Sequence, residues 1–346
     1  MSEQIIGKLS DDASLSCSQL PGLAGESRYQ TPNSIVKSVT DVIAARQAGR
    51  ADPAREEAGE AARWGNLMEN TILEEGARRL GCTVNTSITE RVQHPELELQ
   101  GSLDGILTPP DGDTVLEHNP ERGIYIMNGA DRIVLRGPGV AEAKLTGAPP
   151  ADTPHLARGP LQVQGLMMCT GYSWAAIFTL YRGTELRIYV TGVDGKMQEG
   201  IAQDVRDFSR VTQTFKSEGV IDWYPAFSKE DAQNAYATME DDLPPVQLNE
   251  EASDWALDLI AAQAAIKSTQ ALADALQTRL MDVLGTHKTG IDRDLEGNVM
   301  AELTWGMSPA RKGYAVAPKP ARRSRTLRIK DLQEHGPETG GALNGA

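Results

Sequence analysis

Alternation of apolar and polar positions predicts several strands in the middle of the chain. Residues 97–107, LELQGSLDGIL, place leucines on one side and polar residues, Asp104 among them, on the other. This period of two is typical of a half-buried strand. Residues 132–145 return to strand character, and residues 173–183 and 185–193 predict two strands joined by a tight turn.

Helical spacing of apolar residues surrounds these strands. Thr31 and Pro32 predict the N-cap and first position of a helix, and a second helix is expected over about 54–80. Two more are expected at 160–171 and 197–218. The apolar stripe of the second helix comprises Trp64, Leu67, Met68, Ile72 and Leu73. This order of helices and strands predicts an α/β protein with a mixed central sheet flanked by helices.

The chain of 346 residues is long enough for one sizeable domain and an appendage. We expect a helical and small-strand C-terminal extension that follows an acidic, proline-containing linker. The expected segments are a poorly ordered N-terminus at 1–20, a core at 21–240 with an inserted hairpin at about 108–132, the extension at 245–332 and a disordered tail at 333–346.

Composition narrows the class of protein. Hydrophobic residues make up 40% of the chain, which allows a sizeable core, but no apolar run reaches the roughly 18 residues that a membrane helix needs. The N-terminus lacks the apolar segment of a secretory signal. The three cysteines are Cys17, Cys82 and Cys169, and no CxxC pair occurs. We therefore expect a cytoplasmic protein without a disulfide framework or an iron–sulfur cluster.

Charge leaves a role with DNA open. The net charge of −14 argues against a protein coated with nucleic-acid-binding charge, although a local basic channel can coexist with an acidic exterior. Residues 311–330 carry eight Lys or Arg and no acid. This stretch is either a solvated face or a phosphate contact through Arg322, Arg323 and Arg325.

Candidate chemistry begins with the motif Glu142–Ala143–Lys144. Residues i and i+2 of a strand share a face, so Glu142 and Lys144 point the same way, and Asp104 joins them if its strand is a neighbour. Converging carboxylates repel one another, and a hard cation such as Mg²⁺ or Mn²⁺ resolves that repulsion. A lone ExK motif is otherwise a surface ion pair, so the motif by itself leaves both interpretations open.

Residues elsewhere in the sequence affect how the Glu142–Ala143–Lys144 motif is interpreted. Glu69 flanks the apolar stripe of the second helix, and Gly65 one turn earlier would leave room beside it. Gln162 follows Lys144 at the start of a helix. It is either a site residue or an ordinary amide near a helix N-terminus, and Gln164 is the other candidate for the site amide. His94 is either a metal ligand or a structural residue at a strand start, since Mg²⁺ prefers oxygen ligands.

Taken in order, these motifs resemble the phage lambda exonuclease-type recombination nucleases of the PD-(D/E)XK superfamily. The resemblance covers about residues 25–215. The matching motifs are WGNLMEN (64–70), GSLDGI (101–106), EAK (142–144) and LQVQGLMMCTGYSWAAIF (161–178). The resemblance implies a restriction-endonuclease-like core.

The resemblance also implies roles for single residues. Asp104 and Glu142 would be the main metal ligands, helped by the backbone carbonyl of Ala143, and Glu69 would support a second metal or its water. Lys144 would orient or activate the attacking water, and Gln162 would complete the site in preference to Gln164. Ser27 and Arg28, beside the start of the first helix, would bind a 5′-terminal phosphate or merely cap that helix.

Two features depart from the family's pattern. Leu103 stands before Asp104 where the family often has proline, and the gap from Asp104 to Glu142 is longer than in the lambda enzyme. The longer gap implies an inserted hairpin near the site, which could alter the preferred shape of substrate.

The function implied is a Mg²⁺-dependent exonuclease that hydrolyses linear double-stranded DNA, 5′ to 3′, with two ions expected and Mn²⁺ as a substitute. Its partners would be DNA ends, a single-strand annealing protein and, by resemblance, two further copies in a trimer, in the cytoplasm of a bacterial host. A structure- or site-specific endonuclease of the same fold is one alternative. A non-catalytic DNA-binding or inhibitory protein on a nuclease fold is the other.

Overall fold

The computed structural model describes residues 11–54, 59–110, 113–236 and 243–305. Two compact units divide the chain, Met1–Ala237 and Thr238–Ala346. The basic stretch at 311–330, with Arg322, Arg323 and Arg325, and the tail expected at 333–346 lie outside the described residues. Among the residues that are described, no helix combines the length and apolar character needed to cross a bilayer.

Seven α-helices occur in the described residues, and their ends follow local sequence signals. In chain order they are α1 (Leu20–Leu23), α2 (Pro32–Gln47), α3 (Glu60–Leu80), α4 (Pro160–Thr170), α5 (Gly195–Glu218), α6 (Lys229–Ala235) and α7 (Glu250–Leu284). Thr31 caps α2 by accepting a hydrogen bond from the Ser34 amide at 3.2 Å. Gly171 ends α4 in the left-handed conformation that favours glycine.

Thirteen strands occur in the same part of the chain, and most are short. In chain order they are β1 (Leu15–Ser16), β2 (Thr83–Asn85), β3 (Val92–Gln93), β4 (Leu99–Gly101), β5 (Gly105–Thr108), β6 (Asp113–Glu117), β7 (Ile124–Ile126), β8 (Arg132–Arg136), β9 (Gly139–Thr146), β10 (Trp174–Tyr181), β11 (Glu185–Gly192), β12 (Thr289–Arg293) and β13 (Val299–Thr304). In the second unit, β12 and β13 form an antiparallel pair after the long helix α7.

The central sheet of the first unit has six strands in the order β2-β5-β9-β10-β11-β7. Its pairs β9–β10 and β11–β7 are parallel, whereas β2–β5, β5–β9 and β10–β11 are antiparallel. The sheet is therefore mixed. Because helices cover it, the structure confirms the predicted fold class, an α/β protein with a mixed central sheet flanked by helices.

The two faces of the sheet belong to different hydrophobic clusters. On β9, Val140 belongs to a cluster that includes residues of α2, α4 and α5, whereas Ala141 belongs to one that includes residues of α3. Since strand side chains alternate between faces, Glu142 points to the same side as Val140. The face covered by α4 is therefore the one that carries the acidic residue.

The segment at 97–107, predicted as one strand, is two. β4 pairs with β1 and β3 in a separate three-stranded sheet, and β5 joins the central sheet. Asp104 lies in the bend between them. The alternating pattern does not reveal this break, because an apolar residue every second position satisfies either sheet.

The excursion expected as an inserted hairpin at 108–132 also differs. β6 pairs with β8 as a two-stranded ribbon, but β7, which lies between them in sequence, pairs with β11 at the edge of the central sheet. All three residues of β7, Ile124 to Ile126, are buried. Burial of this apolar run draws the middle of the excursion back to the core.

Two expectations about individual segments are wrong. Residues 11–20 belong to the segment 1–20 that was expected to be poorly ordered, yet Leu15 and Cys17 lie in the core, because β1 pairs with β4; the rest of that segment, 1–10, lies outside the described residues. In α3, Trp64 and Leu67 are exposed rather than part of the buried stripe. Helix α3 packs on the sheet through its C-terminal half, where Ile72 and Leu73 are buried.

Gly76 allows α3 to approach the sheet closely, and its replacement tests that contact. A Cβ at Gly76 would lie 2.7 Å from ring carbons of the buried Phe178. We expect Gly76→Ala to lower the free energy of unfolding by about 1–3 kcal/mol, because overpacking outweighs the higher helix propensity of alanine. Urea denaturation measures the change.

Gly65→Ala on the same helix is the matched control. A Cβ there would meet no atom within 4 Å, so we expect a gain of up to about 1 kcal/mol from helix propensity alone. Equal stabilisation of both variants would contradict the close packing of α3 on the sheet.

Candidate active site

Glu142 and Lys144 lie on the same face of the central strand β9, as the alternation of side chains requires. Glu142 is only 1% exposed. The ammonium group of Lys144, which is partly buried, donates a hydrogen bond to Glu142 Oε1. The pair is therefore not the exposed ion pair that an isolated ExK motif would favour.

Asp104 reaches this pair from the bend before β5. The antiparallel pairing of β5 with β9 sets Gly105 opposite Ala141, and Asp104 Oδ2 accepts a hydrogen bond from the Ala143 amide at 2.9 Å. The acidic side chain is thus anchored to the backbone between Glu142 and Lys144. The end of β4 and the start of β5 create this position, which a continuous strand would not provide.

Gln162, in the first turn of α4, supplies the amide of the site. Its Oε1 accepts a hydrogen bond from Lys144 Nζ at 3.0 Å. Gln164 points elsewhere: its Nε2 donates to the Gly192 carbonyl at 2.8 Å, and its Oε1 accepts from the Asp194 amide and from Gln198 Nε2. Gln162 is therefore the glutamine that lies beside Lys144. Gln164 instead links α4 to the start of α5 through hydrogen bonds.

Glu69, on α3, comes close enough to this group for its charge to matter. Burial raises the pKa of the Glu69 carboxyl to about 7, the charge of Asp104 adds to the increase, and Lys144 opposes it. Gly65 is not what makes this approach possible, because a Cβ at that position would meet open space. Glu69 therefore lies within electrostatic reach of Asp104, Glu142 and Lys144.

The electrostatics of the group follow from burial of like charges. Burial raises the pKa of Glu142 to about 8, with a further increase from Asp104 and an opposing effect of Lys144. Burial also raises the pKa of Asp104, against the Lys144 charge and the hydrogen bond from Ala143. Burial alone would lower the pKa of Lys144, but the charges of Glu142 and Asp104 raise it overall. The lysine therefore stays protonated beside carboxyl groups that resist ionisation.

The donor set suits a hard divalent cation. Glu142 Oε2 is buried and accepts no hydrogen bond from any described residue, so this oxygen is left for a ligand. Carboxylate and backbone carbonyl oxygens are the ligands that Mg²⁺ and Mn²⁺ prefer. In the described part of the chain, no three His, Cys, Asp or Glu side chains already form a closed ligand group. The oxygens fit such an ion chemically, and the carboxylates would have to draw together around it.

The start of α2, expected to receive a 5′-phosphate, already holds a carboxylate. Asp231 is fully buried and accepts hydrogen bonds from the Thr31 hydroxyl and from Asn33 Nδ2. Ser27 Oγ accepts from two amides of its own turn, and Arg28 is exposed. A negative group at this helix end disfavours a second anion, and the binding roles of Ser27 and Arg28 stay predictions.

His94 was considered as a metal ligand or as a structural residue, and its hydrogen bonds are those of a structural residue. Its Nδ1 accepts hydrogen bonds from the amides of Glu96 and Leu97, each at 3.0 Å, and its own amide donates to the Leu99 carbonyl. The imidazole therefore closes the turn before β4.

Sequence reasoning missed Thr179, which lies opposite Lys144 in the register of β9 and β10. Its hydroxyl is buried and has no hydrogen-bond partner among the described residues. A threonine in an apolar strand carries no signal of this kind, since only the pairing of two distant strands sets it beside the lysine. Sequence reasoning also missed Asp231, which accepts a hydrogen bond from Asn33 although the two residues are 198 positions apart in sequence.

A comparison with protein families matches the N-terminal part of the chain. Residues 12–133 match the family model of a YqaJ-like viral recombinase domain, which confirms the predicted resemblance to viral recombination nucleases. The matched stretch includes Glu69 and Asp104 and ends before Glu142. No curated protein sequence matches the chain.

Three of the solved structures to which the chain is similar are described as exonucleases. An alkaline exonuclease from Laribacter hongkongensis, LHK-Exo, has 14% identity and a TM-score of 0.41, over 60% of this chain and 91% of its own. Its complex with dAMP has 16% identity and a TM-score of 0.40 over the same shares. A phage-related exonuclease from Haemophilus somnus 129PT has 13% identity and a TM-score of 0.37, over 60% of this chain and 96% of its own.

The pH dependence of stability tests whether Glu69 belongs to the acidic group. Because its pKa is raised from 4.5 to about 7, folding favours the protonated form. That contribution to stability is fully present below pH 4.5 and is lost as the pH rises through 7. With a chelator present, we expect Glu69→Gln to raise Tm at pH 8 by about 2–4 °C and to leave it unchanged at pH 4.5.

Glu74→Gln provides the matched control, because Glu74 lies on the same helix and is exposed. Its Tm should follow that of the natural protein at both pH values in a thermal melt. If Glu69→Gln shows no difference between the two pH values, Glu69 does not share the electrostatic environment of Asp104.

Proposed function

We propose that this protein is a divalent-metal-dependent exodeoxyribonuclease that hydrolyses linear double-stranded DNA from its 5′ end. The proposed enzyme has a restriction-endonuclease-like α/β core, with its site at Asp104, Glu142, Lys144 and Gln162. The match of residues 12–133 to a viral recombinase domain supports a DNA exonuclease. Strand polarity and a role in recombination are drawn from the family resemblance.

One observation carries the proposal: buried acids, one amine and one amide meet on the α4 side of the sheet. Lys144 Nζ bridges Glu142 Oε1 and Gln162 Oε1, and Asp104 is tied to the backbone between the two strand residues. Burying several ionisable groups without closing their hydrogen bonds costs stability. A non-catalytic DNA-binding protein has no need of this arrangement, which therefore favours an enzyme over the binding alternative.

Asp104 and Glu142, with the Ala143 carbonyl, would hold one Mg²⁺, and Glu69 would support a second ion or its water. Mn²⁺ offers the same preference for oxygen ligands. A bound divalent ion would polarise a phosphate oxygen and lower the pKa of a coordinated water. Burial raises the pKa of both Glu142 and Glu69, and the charge of Asp104 adds to each increase.

Lys144 is suited to orient the attacking water rather than to accept its proton. Its ammonium group has three N–H donors, and two of them go to Glu142 and Gln162. The third remains for the water or for a phosphate oxygen. Because Glu142 and Asp104 raise the pKa of Lys144 overall, the amine keeps its positive charge and can stabilise the negative charge that develops on the phosphoryl group.

Gln162 holds the lysine in place. Its carbonyl oxygen accepts from Lys144, and the side chain comes from a helix that packs tightly against the sheet. The amide therefore limits the positions that the flexible lysine can adopt. Such positioning lowers the entropic part of the activation barrier.

Hydrolysis of end-labelled duplex DNA tests the proposal. With Mg²⁺, we expect linear duplex to be degraded and covalently closed circular DNA to stay intact, with a 5′-phosphate end degraded faster than a 5′-hydroxyl end. A chelator should abolish the reaction. Cutting of the circular DNA would support the endonuclease alternative, and the absence of any hydrolysis with Mg²⁺ or Mn²⁺ would rule out the proposed enzyme.

Lys144→Ala in the same assay should reduce the rate by roughly 10²–10⁴-fold, the range typical of a lost catalytic donor. Lys37→Ala is the control, because the Lys37 side chain is 44% exposed and pairs with Asp41 on the surface of α2, an interaction of little energetic value. Degradation at the normal rate by Lys144→Ala would remove the proposed mechanism.

The two glutamines predict opposite phenotypes. Gln162→Ala should lower the rate at least about tenfold with little change in Tm, because it loses an interaction that positions the lysine. Gln164→Ala leaves three hydrogen bonds of the α4–α5 connection unmade and should cost about 1–3 kcal/mol of stability. Thermal melts and single-turnover rates separate the two, and a rate loss in Gln164→Ala alone would reverse the assignment.

A further inference from the structure

Two of the three cysteines lie side by side although they are far apart in sequence. Cys17 Sγ and Cys169 Sγ are 3.9 Å apart across a sequence separation of 152 residues. Cys17 follows β1 directly, and Cys169 lies in the last turn of α4, with its Sγ 3.7 Å from the Leu99 carbonyl. Cys82 lies in the hydrophobic cluster of the opposite sheet face. The pair is thus a feature of the tertiary structure alone.

Glycines on two neighbouring elements make room for the thiol of Cys17. A Cβ at Gly101 on β4 or at Gly165 on α4 would each come within 3.2 Å of Cys17 Sγ. The same added atoms would overlap Leu166 and Leu20, at 2.4 and 2.5 Å respectively. The segment after β1, strand β4 and helix α4 are therefore in van der Waals contact around this sulfur, which holds it facing Cys169.

The two cysteine residues differ in exposure. Cys17 is 1% exposed, whereas Cys169 is partly exposed. Burial raises the pKa of the Cys17 thiol, and the neighbouring Cys169 and Glu142 add to the increase. An oxidant can therefore reach Cys169 first, with Cys17 as the neighbouring thiol that completes a disulfide.

The pair also lies next to the candidate active site. Glu142 influences the Cys17 thiol electrostatically, and Cys169 stands two helical turns after Gln162 on α4, so the two side chains share one face of the helix. Any shift of Cys169 toward Cys17 acts on the helix that holds Gln162 against Lys144.

We propose that Cys17 and Cys169 form a reversible disulfide bond on exposure to a hydroperoxide, and that this bond restrains α4 beside the active site. The sulfurs must close from 3.9 Å to about 2.05 Å. Cys169 lies in the last turn before Gly171 ends the helix, where a small movement disturbs few hydrogen bonds. The restraint of α4 is a property of the fold, whereas its effect on DNA hydrolysis rests on the proposed function.

The chemistry balances with the hydroperoxide as the two-electron oxidant. The Cys169 thiolate attacks the terminal peroxide oxygen, an S–O bond forms and the O–O bond breaks. The leaving alkoxide takes a proton to become an alcohol, or water when the oxidant is hydrogen peroxide. Cys17 then attacks the sulfur of the Cys169 sulfenic acid. The S–S bond forms, the S–O bond breaks, and the released hydroxide combines with the proton of Cys17. A dithiol reductant restores both thiols by thiol–disulfide exchange and is itself oxidised to a disulfide.

Peptide mapping of the folded, full-length chain tests the disulfide directly. After treatment with hydrogen peroxide and alkylation of remaining thiols, we expect a peptide pair joining Cys17 to Cys169 and free, alkylated Cys82. Dithiothreitol should restore both thiols. Continued alkylation of all three thiols, a pair that includes Cys82 or a disulfide between two chains would overturn the proposal.

Single variants test the order of the steps, with Cys82→Ser as the matched control. Dimedone, which traps sulfenic acids, should label Cys169 in Cys17→Ser and should leave Cys17 unlabelled in Cys169→Ser. Cys82→Ser should form the disulfide as the natural protein does. Labelling of Cys17 in Cys169→Ser would overturn the assignment of Cys169 as the residue that reacts first. Thermal melts of the reduced proteins verify that each variant is folded.

Activity measured on the same samples separates this inference from the proposed function. Oxidation should lower the rate of DNA degradation in the natural protein, dithiothreitol should restore it, and Cys17→Ser should show a smaller loss. A disulfide that leaves the rate unchanged would overturn the restraint of the active site. If the reduced protein degrades no DNA, the proposed function fails, but peptide mapping still decides whether the disulfide forms. In that case the Tm should rise on oxidation, because the crosslink restricts the unfolded chain.

Discussion

Burial of the Glu142 carboxyl group in the central strand β9 is the constraint on which the rest of this site depends. A carboxylate taken out of water is costly unless hydrogen bonds and opposite charge replace its hydration. Lys144 supplies one such partner, while the second oxygen of Glu142 receives none from the described residues. The group is therefore incomplete as a purely structural element, and its acidic side chains resist ionisation.

The fold tolerates this arrangement because the surrounding elements are tied together independently of it. Gln164 joins α4 to the start of α5 through backbone and side-chain hydrogen bonds, and Gly76 lets α3 lie directly on Phe178. Asp231 links the start of α2 to the segment before α6. These contacts hold the helices in place. The loss of stability from burying the acidic side chains of the site is therefore confined to one part of a well-packed core.

The packing of helix α4 links the candidate active site to the pair of thiols. Helix α4 carries Gln162, which faces Lys144, and two turns later Cys169, which faces Cys17. Close approach of this helix to its neighbours depends on Gly101 and Gly165. A single rigid element therefore connects the position of the lysine amine with the environment of a thiol pair, and both depend on how closely α4 packs.

The sequence by itself determined the elements whose signals are local: the face of β9 shared by Glu142 and Lys144, the β10–β11 pair, and the start of α4 at Pro160. Only the tertiary structure decided which glutamine meets the lysine, because Gln162 and Gln164 differ by contacts with residues far along the chain. The break at Asp104, the exposure of Trp64 and the carboxylate at the start of α2 were likewise decided there. Periodicity reports which side of an element is apolar, whereas the partner that covers that side is chosen by packing between distant segments.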